Sequence, residues 1–177
     1  MLDKLQQRIA ETTDTHNAVL QWDPPFCGDI PLHIDHKGQW HYAGTPFTRQ
    51  RLVNLFARIL RCDNNQYFLV TPVEKVGITV ADVPLIITQW SWLDDSAERC
   101  IQCTTATNDV FCLDADHPMT LRIDPQQALP LPYIKVRHNL WAKLHQNVYY
   151  QWIEAAQEHQ GSLWLHSGGH RFKLGEL

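Results

Sequence analysis

The sequence predicts an α+β protein of two lobes made by internal duplication, and three observations carry that prediction. One order of elements is written twice, opened by Leu32-His33-Ile34-Asp35 in the first copy and by Leu121-Arg122-Ile123-Asp124 in the second. Each opening is followed by an extended segment, an amphipathic helix and a strand–turn–strand pair. That pair is Tyr67 to Thr71 with Lys75 to Val80 in the first copy, and Ser162 to His166 with His170 to Leu174 in the second. The strands are mixed with helices but lack the βαβ rhythm of a parallel sheet. Finally, 44% hydrophobic and 19% charged residues over 177 positions suffice for a folded core and rule out disorder as the main state. The expected lobes are residues 1–80, with a leading helix, and residues 81–177, richer in strands.

The elements follow in order. Leu2, Leu5 and Ile9 recur at helical spacing behind Asp3, so the chain starts as a short amphipathic helix. Trp22-Asp23-Pro24-Pro25 cannot continue it, because proline lacks a donor and restricts the residue before it. Ile30, Leu32 and Ile34 alternate with polar residues, His36-Lys37-Gly38 turns the chain, and Gln39 to Tyr42 returns as a hairpin. Thr48 reads as the cap of a helix with Leu52, Leu55, Phe56 and Ile59 on one face, Arg51, Asn54, Arg58 and Arg61 on the other, and Asp63-Asn64-Asn65 at its end. Tyr67 to Val70 and Lys75 to Val80 are strands broken by Thr71-Pro72. Residues 81–118 lack a counterpart in the first copy and read as a meander of Leu85 to Trp92, Arg99 to Thr105 and Val110 to Asp114. The second copy has a proline-rich stretch from Pro125 to Pro132, extended Tyr133 to Val136, and a helical pattern from Asn139 to His159 with Leu140, Leu144, Val148 and Trp152 spaced by four. Asn147 interrupts that helix and recaps it. Gly168-Gly169 makes the last turn.

Composition narrows the function. A net charge of −4 argues against general nucleic-acid binding, which needs a basic surface to displace counterions. No run reaches the ~18 apolar residues of a membrane span, and Met1-Leu2-Asp3-Lys4 does not begin a secretory signal, so a cytoplasmic protein is expected. The five cysteines fit that compartment, since an odd count excludes a complete disulfide framework. Walker, G-x-G-x-x-G, G-x-S-x-G and H-E-x-x-H motifs are all missing.

Several segments together resemble one family. They are Pro24-Pro25-Phe26-Cys27-Gly28-Asp29, Gly38-Gln39-Trp40-His41-Tyr42, Gly44-Thr45-Pro46-Phe47-Thr48-Arg49 and Leu69-Val70-Thr71-Pro72-Val73-Glu74-Lys75. Thr107-Asn108, Asp116-His117-Pro118, Pro132-Tyr133-Ile134-Lys135-Val136-Arg137 and Val148-Tyr149-Tyr150 complete the set. In this order, from Trp22 onward, they resemble the uncharacterised bacterial family called domain of unknown function 1285. The resemblance implies a duplicated fold whose C-terminal half is superficially similar to a pleckstrin-homology barrel. It also implies a ligand site between the halves and a role in signal transduction. The chain departs from the family pattern at Cys100 and Cys103, and at Asn147, where proline is common.

The residues offer candidate chemistry beside that resemblance. Arg49, Arg51, Arg58 and Arg61 have the guanidinium geometry that clamps phosphate, although three of them also read as the solvated face of the helix. Arg49 stands out, because an arginine in a first turn opposes the helix dipole and calls for another partner. Glu74-Lys75 follows the strand break, where a loop presents charges to a ligand or simply carries an exposed ion pair. Asp116 is placed to orient His117 as a general base, without a nucleophile nearby. Cys100-x-x-Cys103 with Cys112 and His117 suggests zinc, but residues three apart on a strand face opposite ways, so no metal is expected. A two-residue turn at Thr107-Asn108 would oppose Cys103 to Cys112, as a redox bridge or as two buried hydrophobes. His33 and His41 flank one hairpin turn, and Trp90 or Trp92 serves either as an interface anchor or as core.

The reading that follows is a cytoplasmic sensor or adaptor in signal transduction that binds a small anionic, nucleotide-like ligand between its halves. Asp29, Arg49, Glu74, Lys75, Tyr133 and Arg137 are the candidate ligand-binding residues, with the cations meeting anionic groups and Tyr133 offering a stacking face. No cofactor, catalytic residue, nucleic acid or membrane partner is expected. The alternatives are a protein-interaction module with a signalling partner and no small ligand, and an enzyme using Asp116-His117.

Overall fold

A computed structural model describes residues 2–10, 15–94 and 98–177, and the chain divides into two compact units, Met1–Ala81 and Asp82–Leu177. The first contains α1 (Leu2–Ala10), α2 (Thr15–Ala18), β1 (Phe26–Ile34), β2 (Trp40–Tyr42), β3 (Thr45–Pro46), α3 (Gln50–Ala57), β4 (Leu60–Asp63), β5 (Gln66–Val70) and β6 (Lys75–Val80). Its strands form one sheet in the order β3-β2-β1-β6-β5-β4, antiparallel except where β1 runs parallel to β6. Alternation along the strands divides that sheet. Leu32, Ile34, Trp40, Leu69 and Val76 are buried on one face, while His33, His41, Phe68, Lys75, Gly77 and Thr79 belong to the other. Leu5, Ile9, Val19 and Phe56, each at most 1% exposed, add to the core of this unit. Each such side chain contributes about 1.5–3 kcal/mol by leaving water.

The second unit contains β7 (Leu85–Leu93), β8 (Cys100–Thr105), β9 (Val110–Cys112), β10 (Met119–Ile123), β11 (Pro130–Arg137), β12 (Leu140–Leu144), α4 (Gln146–Ala155), β13 (Gln157–His159), β14 (Ser162–Ser167) and β15 (His170–Glu176). One six-stranded sheet has the order β10-β11-β12-β7-β8-β9, and β13-β14-β15 form a separate three-stranded sheet. The duplication is visible in this order. Three strands, a helix and three strands make up β1 to β6 with α3, and the same series makes up β10 to β15 with α4. The halves of the first copy join through the parallel pair β1–β6. In the second copy β12 pairs instead with β7 of the inserted meander, and β13 to β15 remain a sheet of their own.

Four local expectations are corrected. The apolar stripe predicts that α3 runs to Asp63, but the helix ends at Ala57, and Leu60–Asp63 is a strand whose hairpin turn is Asn64-Asn65, both at positive φ (50° and 63°). Thr48 does not cap this helix. Arg49 occupies the N-cap position, in extended conformation and without a side-chain cap bond. The helical pattern from Asn139 is likewise a strand, Leu140–Leu144, followed by a helix that begins after His145, whose Nδ1 accepts from the Asn147 N–H at 3.2 Å. A spacing of four satisfies both a helical period and an alternating one, so Leu140 and Leu144 could not discriminate. The β8–β9 turn is also longer than expected. Asn108 N–H donates to Thr105 O, Asn108 lies at φ 68°, and Thr105 N–H donates to Asp109 O, which is a type I turn with an added bulge residue. That residue shifts the register by one, opposing Cys103 to Phe111 and Gln102 to Cys112.

Candidate functional site

Four of the six candidate ligand residues lie in the first unit, and the structure brings two of them onto one sheet face. Lys75 opens β6 opposite Phe26 of β1, and Asp29 stands opposite Gly77. A methyl group at Gly77 would overlap the Asp29 carboxylate, so the glycine makes room for that side chain over the sheet. Lys75 Nζ lies 4.1 Å from the centre of the Phe68 ring and donates to Asp63 Oδ2 at 2.9 Å; Phe26 meets Phe68 edge-on at 6.0 Å. Glu74 is directed elsewhere. The Thr71 hydroxyl accepts from its N–H at 3.1 Å in the turn before β6, and its carboxylate pairs with Arg8 of α1 at 2.7 Å. Glu74 and Lys75 therefore serve two different ion pairs. Arg49 is exposed, and among the described residues its side chain makes no hydrogen bond or ion pair. Arg61, expected on a solvated helix face, is 8% exposed in β4 and donates to Asp63 and to the carbonyls of Val19 and Trp22.

The remaining two candidates lie in the second unit, Tyr133 buried and Arg137 half-buried. Tyr133 is 1% exposed, and its hydroxyl donates to Asp82 Oδ2 at 2.6 Å. Lys143 Nζ reaches Asp82 at 3.1 Å and Asp124 at 3.5 Å, which makes a network of two carboxylates, one ammonium and one phenol. Burial, then the hydrogen bond and charge of Asp82, push the Tyr133 phenol well above its ordinary pKa. It stays neutral and offers no open stacking face. Arg137 Nε donates to Asp109 Oδ1 at 2.9 Å, and Asp109 Oδ2 accepts from the hydroxyls of Thr105 and Thr107. That ion pair holds β11 to the β8–β9 turn.

Histidine geometry also departs from expectation in one place. His117 Nδ1 hydrogen-bonds Asp114 Oδ1 at 2.8 Å, and Asp116 contributes only a backbone N–H to the same oxygen. The imidazole is stacked on Phe111, 4.9 Å between ring centres. Asp114, three residues back, is the orienting carboxylate. His33 and His41 are directly opposed across β1 and β2 as expected, but each has its own partner, Thr79 Oγ1 at 2.7 Å and Asp35 at 2.9 Å.

Three carboxylates link these contacts to acid stability. Burial resists ionisation of Asp35, Asp63 and Asp124, and hydrogen bonds and nearby cations overcome it, so all three fall below the ordinary aspartate pKa. A carboxylate depressed in the folded state contributes stability above its unfolded pKa and loses it as pH falls through the folded one. Urea unfolding is expected to give a constant midpoint from pH 7 to about pH 5 and a falling one below about pH 4. A midpoint unchanged at pH 3 would contradict the contribution of these pairs.

A further site, not expected from the sequence, is a cleft of about 440 Å³ within the second unit. Trp92 of β7 and Trp164 of β14 line it, with Arg99, Gln157, His166 and His170 among the polar groups around them. Each indole carries a guanidinium: Arg99 lies 3.8 Å from the Trp92 ring centre and Arg171 lies 4.5 Å from that of Trp164. A stacked guanidinium keeps its in-plane N–H groups at the ring edge, where an oxyanion meets them. His170 Nδ1 donates to Gly168 O at 2.8 Å, which leaves Nε2 as the outward nitrogen. Sheet alternation assembles the site, because Gln157 and Trp164 are cross-strand partners, as are His166 and Arg171. A second cleft, of about 540 Å³, is lined by Thr88, Gln89, Trp90, Ser91, Gln102, Thr104 and Gln151, and so carries no charge.

Comparison with known proteins places this architecture. A crystal structure of a DUF1285 family protein from Silicibacter pomeroyi DSS-3 superposes with a TM-score of 0.87 at 32% identity, covering 97% of this chain and 93% of that one. A DUF1285 family protein from Shewanella baltica OS155 gives a TM-score of 0.58 at 28% identity, over 72% of this chain and 94% of that one. No curated protein matches. The N-terminal domain model of the domain of unknown function DUF1285 matches residues 17–83 and the C-terminal domain model matches residues 84–174, so the chain belongs to the DUF1285 family.

Proposed function

We propose that this protein is a cytoplasmic sensor or adaptor in signal transduction. It binds a small, ring-bearing anion of the nucleotide type, and the second unit supplies the site. The observation that carries the reading is the gathering of two tryptophans, one bearing Arg99 (exposed, and 3.4 Å from Asp94), with two histidines and a glutamine around one cleft, whose one carboxylate among the described residues is that of Glu98. An indole face accepts a planar base or a sugar ring, guanidinium and imidazole meet phosphate oxygens, and an amide reads a ring edge. Trp92 and Trp164 take over the stacking role expected of Tyr133, and Arg99 takes over the anion-binding role expected of Arg137. The uncharged second cleft has no group to hold an anion.

A thermal-shift panel of adenosine and guanosine mono- and cyclic nucleotides, with inorganic phosphate as control, tests the reading. A nucleotide present at about 100 times its dissociation constant stabilises by ~2.7 kcal/mol, several degrees for a chain of this size. Phosphate alone is expected to give a much smaller shift. A flat panel would move the weight to a protein-interaction module. That second reading has its own support in the first unit, where Phe26 and Val73 are 58% and 55% exposed beside Lys75.

A further inference from the structure

The register of the β8–β9 hairpin makes a pair of cysteines that the sequence did not suggest. Gln102 opposes Cys112, and the ladder continues with Leu113 N–H donating to Ile101 O at 2.8 Å. Cys100 and Cys112 therefore occupy the same sheet face on adjacent strands, one step off direct opposition. Cys103 lies on the other face, 0% exposed. The two thiols are near enough for Cys100 to act directly on Cys112, and both are reduced and partly open to solvent. Cys100 is the first residue of β8, where the ladder ends and a small backbone adjustment can close the remaining Cα separation. Burial first, then the neighbouring Cys100, raise the Cys112 thiol to about 11, so Cys112 keeps its proton at neutral pH. Cys103 is held apart from them by the sheet, and its thiol is pushed up first by burial and then by the charges of Cys112 and Cys100.

We propose that Cys100 and Cys112 are a dithiol modification site, oxidised to an intramolecular disulfide by a hydroperoxide. The Cys100 sulfur attacks the peroxide oxygen, the O–O bond breaks, and sulfenic acid and one water form with the thiol proton. The Cys112 sulfur then attacks the Cys100 sulfur, and the S–OH bond breaks. The hydroxide leaves with the Cys112 proton as a second water. Two thiols and one hydrogen peroxide thus give one disulfide and two waters. The bond would tie the start of β8 to the end of β9, immediately after Arg99.

The test uses the full chain with Cys27→Ser, because Cys27 is exposed and would react by itself. The chain has five cysteines, so this variant has four; after brief treatment with hydrogen peroxide two titratable thiols are expected. The intact mass should fall by two hydrogens, and a peptide map should link Cys100 to Cys112. Adding Cys103→Ser is expected to leave the link in place, whereas adding Cys100→Ser should abolish it. Four thiols remaining after treatment, a link through Cys103, or links only between molecules would each overturn the proposal. The map on the parent variant decides even if a serine variant folds poorly.

Discussion

Asp109→Ala is expected to destabilise the second unit by about 3–5 kcal/mol, because it removes the carboxylate from a buried ion pair and leaves the cation in place. Asp109 and Arg137 side chains are 7% and 11% exposed, so solvent cannot compensate for the loss. The same carboxylate organises the β8–β9 turn through Thr105 and Thr107, and the Asp109 N–H donates back to the Thr105 hydroxyl at 3.0 Å. Asp109→Asn keeps the shape and part of that hydrogen bonding and should cost less than Asp109→Ala. Urea unfolding of the three proteins checks this order. A loss below about 1 kcal/mol for Asp109→Ala would show that the pair behaves like a surface bridge. Arg137→Ala belongs to the same experiment, since a residue that holds the fold together loses stability when truncated, whereas one that only meets ligand does not.

The second large effect concerns binding. With the nucleotide that gives the greatest thermal shift, Trp164→Ala is expected to weaken affinity about 5- to 150-fold, the ~1–3 kcal/mol of one lost stacking face. Arg99→Ala should weaken it as well, and its side chain is 55% exposed, so the fold should be nearly unaffected. Calorimetric titration provides the affinities, and urea unfolding shows whether any loss is structural. Arg49→Ala is the contrasting variant, because Arg49 belongs to the first unit. Loss of binding there, with Trp164→Ala unaffected, would relocate the site to the first unit.

Much of the fold was legible because the repeated elements have strong local signals. The β1–β2 hairpin follows from alternation of Ile30, Leu32 and Ile34, and α1 from Leu2, Leu5 and Ile9. What failed was the distinction between periods where apolar residues are four apart, at Leu140 and Leu144, and the length of one turn, where Asn108 at positive φ adds a residue. That single residue moved the cysteine pair from Cys103–Cys112 to Cys100–Cys112. Tyr133 and Arg137 were read as ligand-binding residues, because the partners that account for them in the fold, Asp82 and Asp109, are 51 and 28 residues away. The tryptophan cleft was missed for the same reason, since it unites β7, β14 and the end of α4. Its one sequence signal was the abundance of tryptophan, with Arg99 seven residues after Trp92 and Arg171 seven after Trp164.

The seven tryptophans provide the most direct test of where ligand binds, because they are distributed over both units. Their indole N–H signals can be followed by NMR while adenosine 5′-monophosphate is added, with each signal assigned from a Trp→Phe variant. The proposed site predicts saturable shifts of Trp92 and Trp164, a smaller one for Trp90, which packs on Trp92 at 5.7 Å, and none for Trp22 or Trp40. Shifts confined to Trp22 or Trp40, or no saturable shift in any indole, would contradict a nucleotide-type site in the second unit.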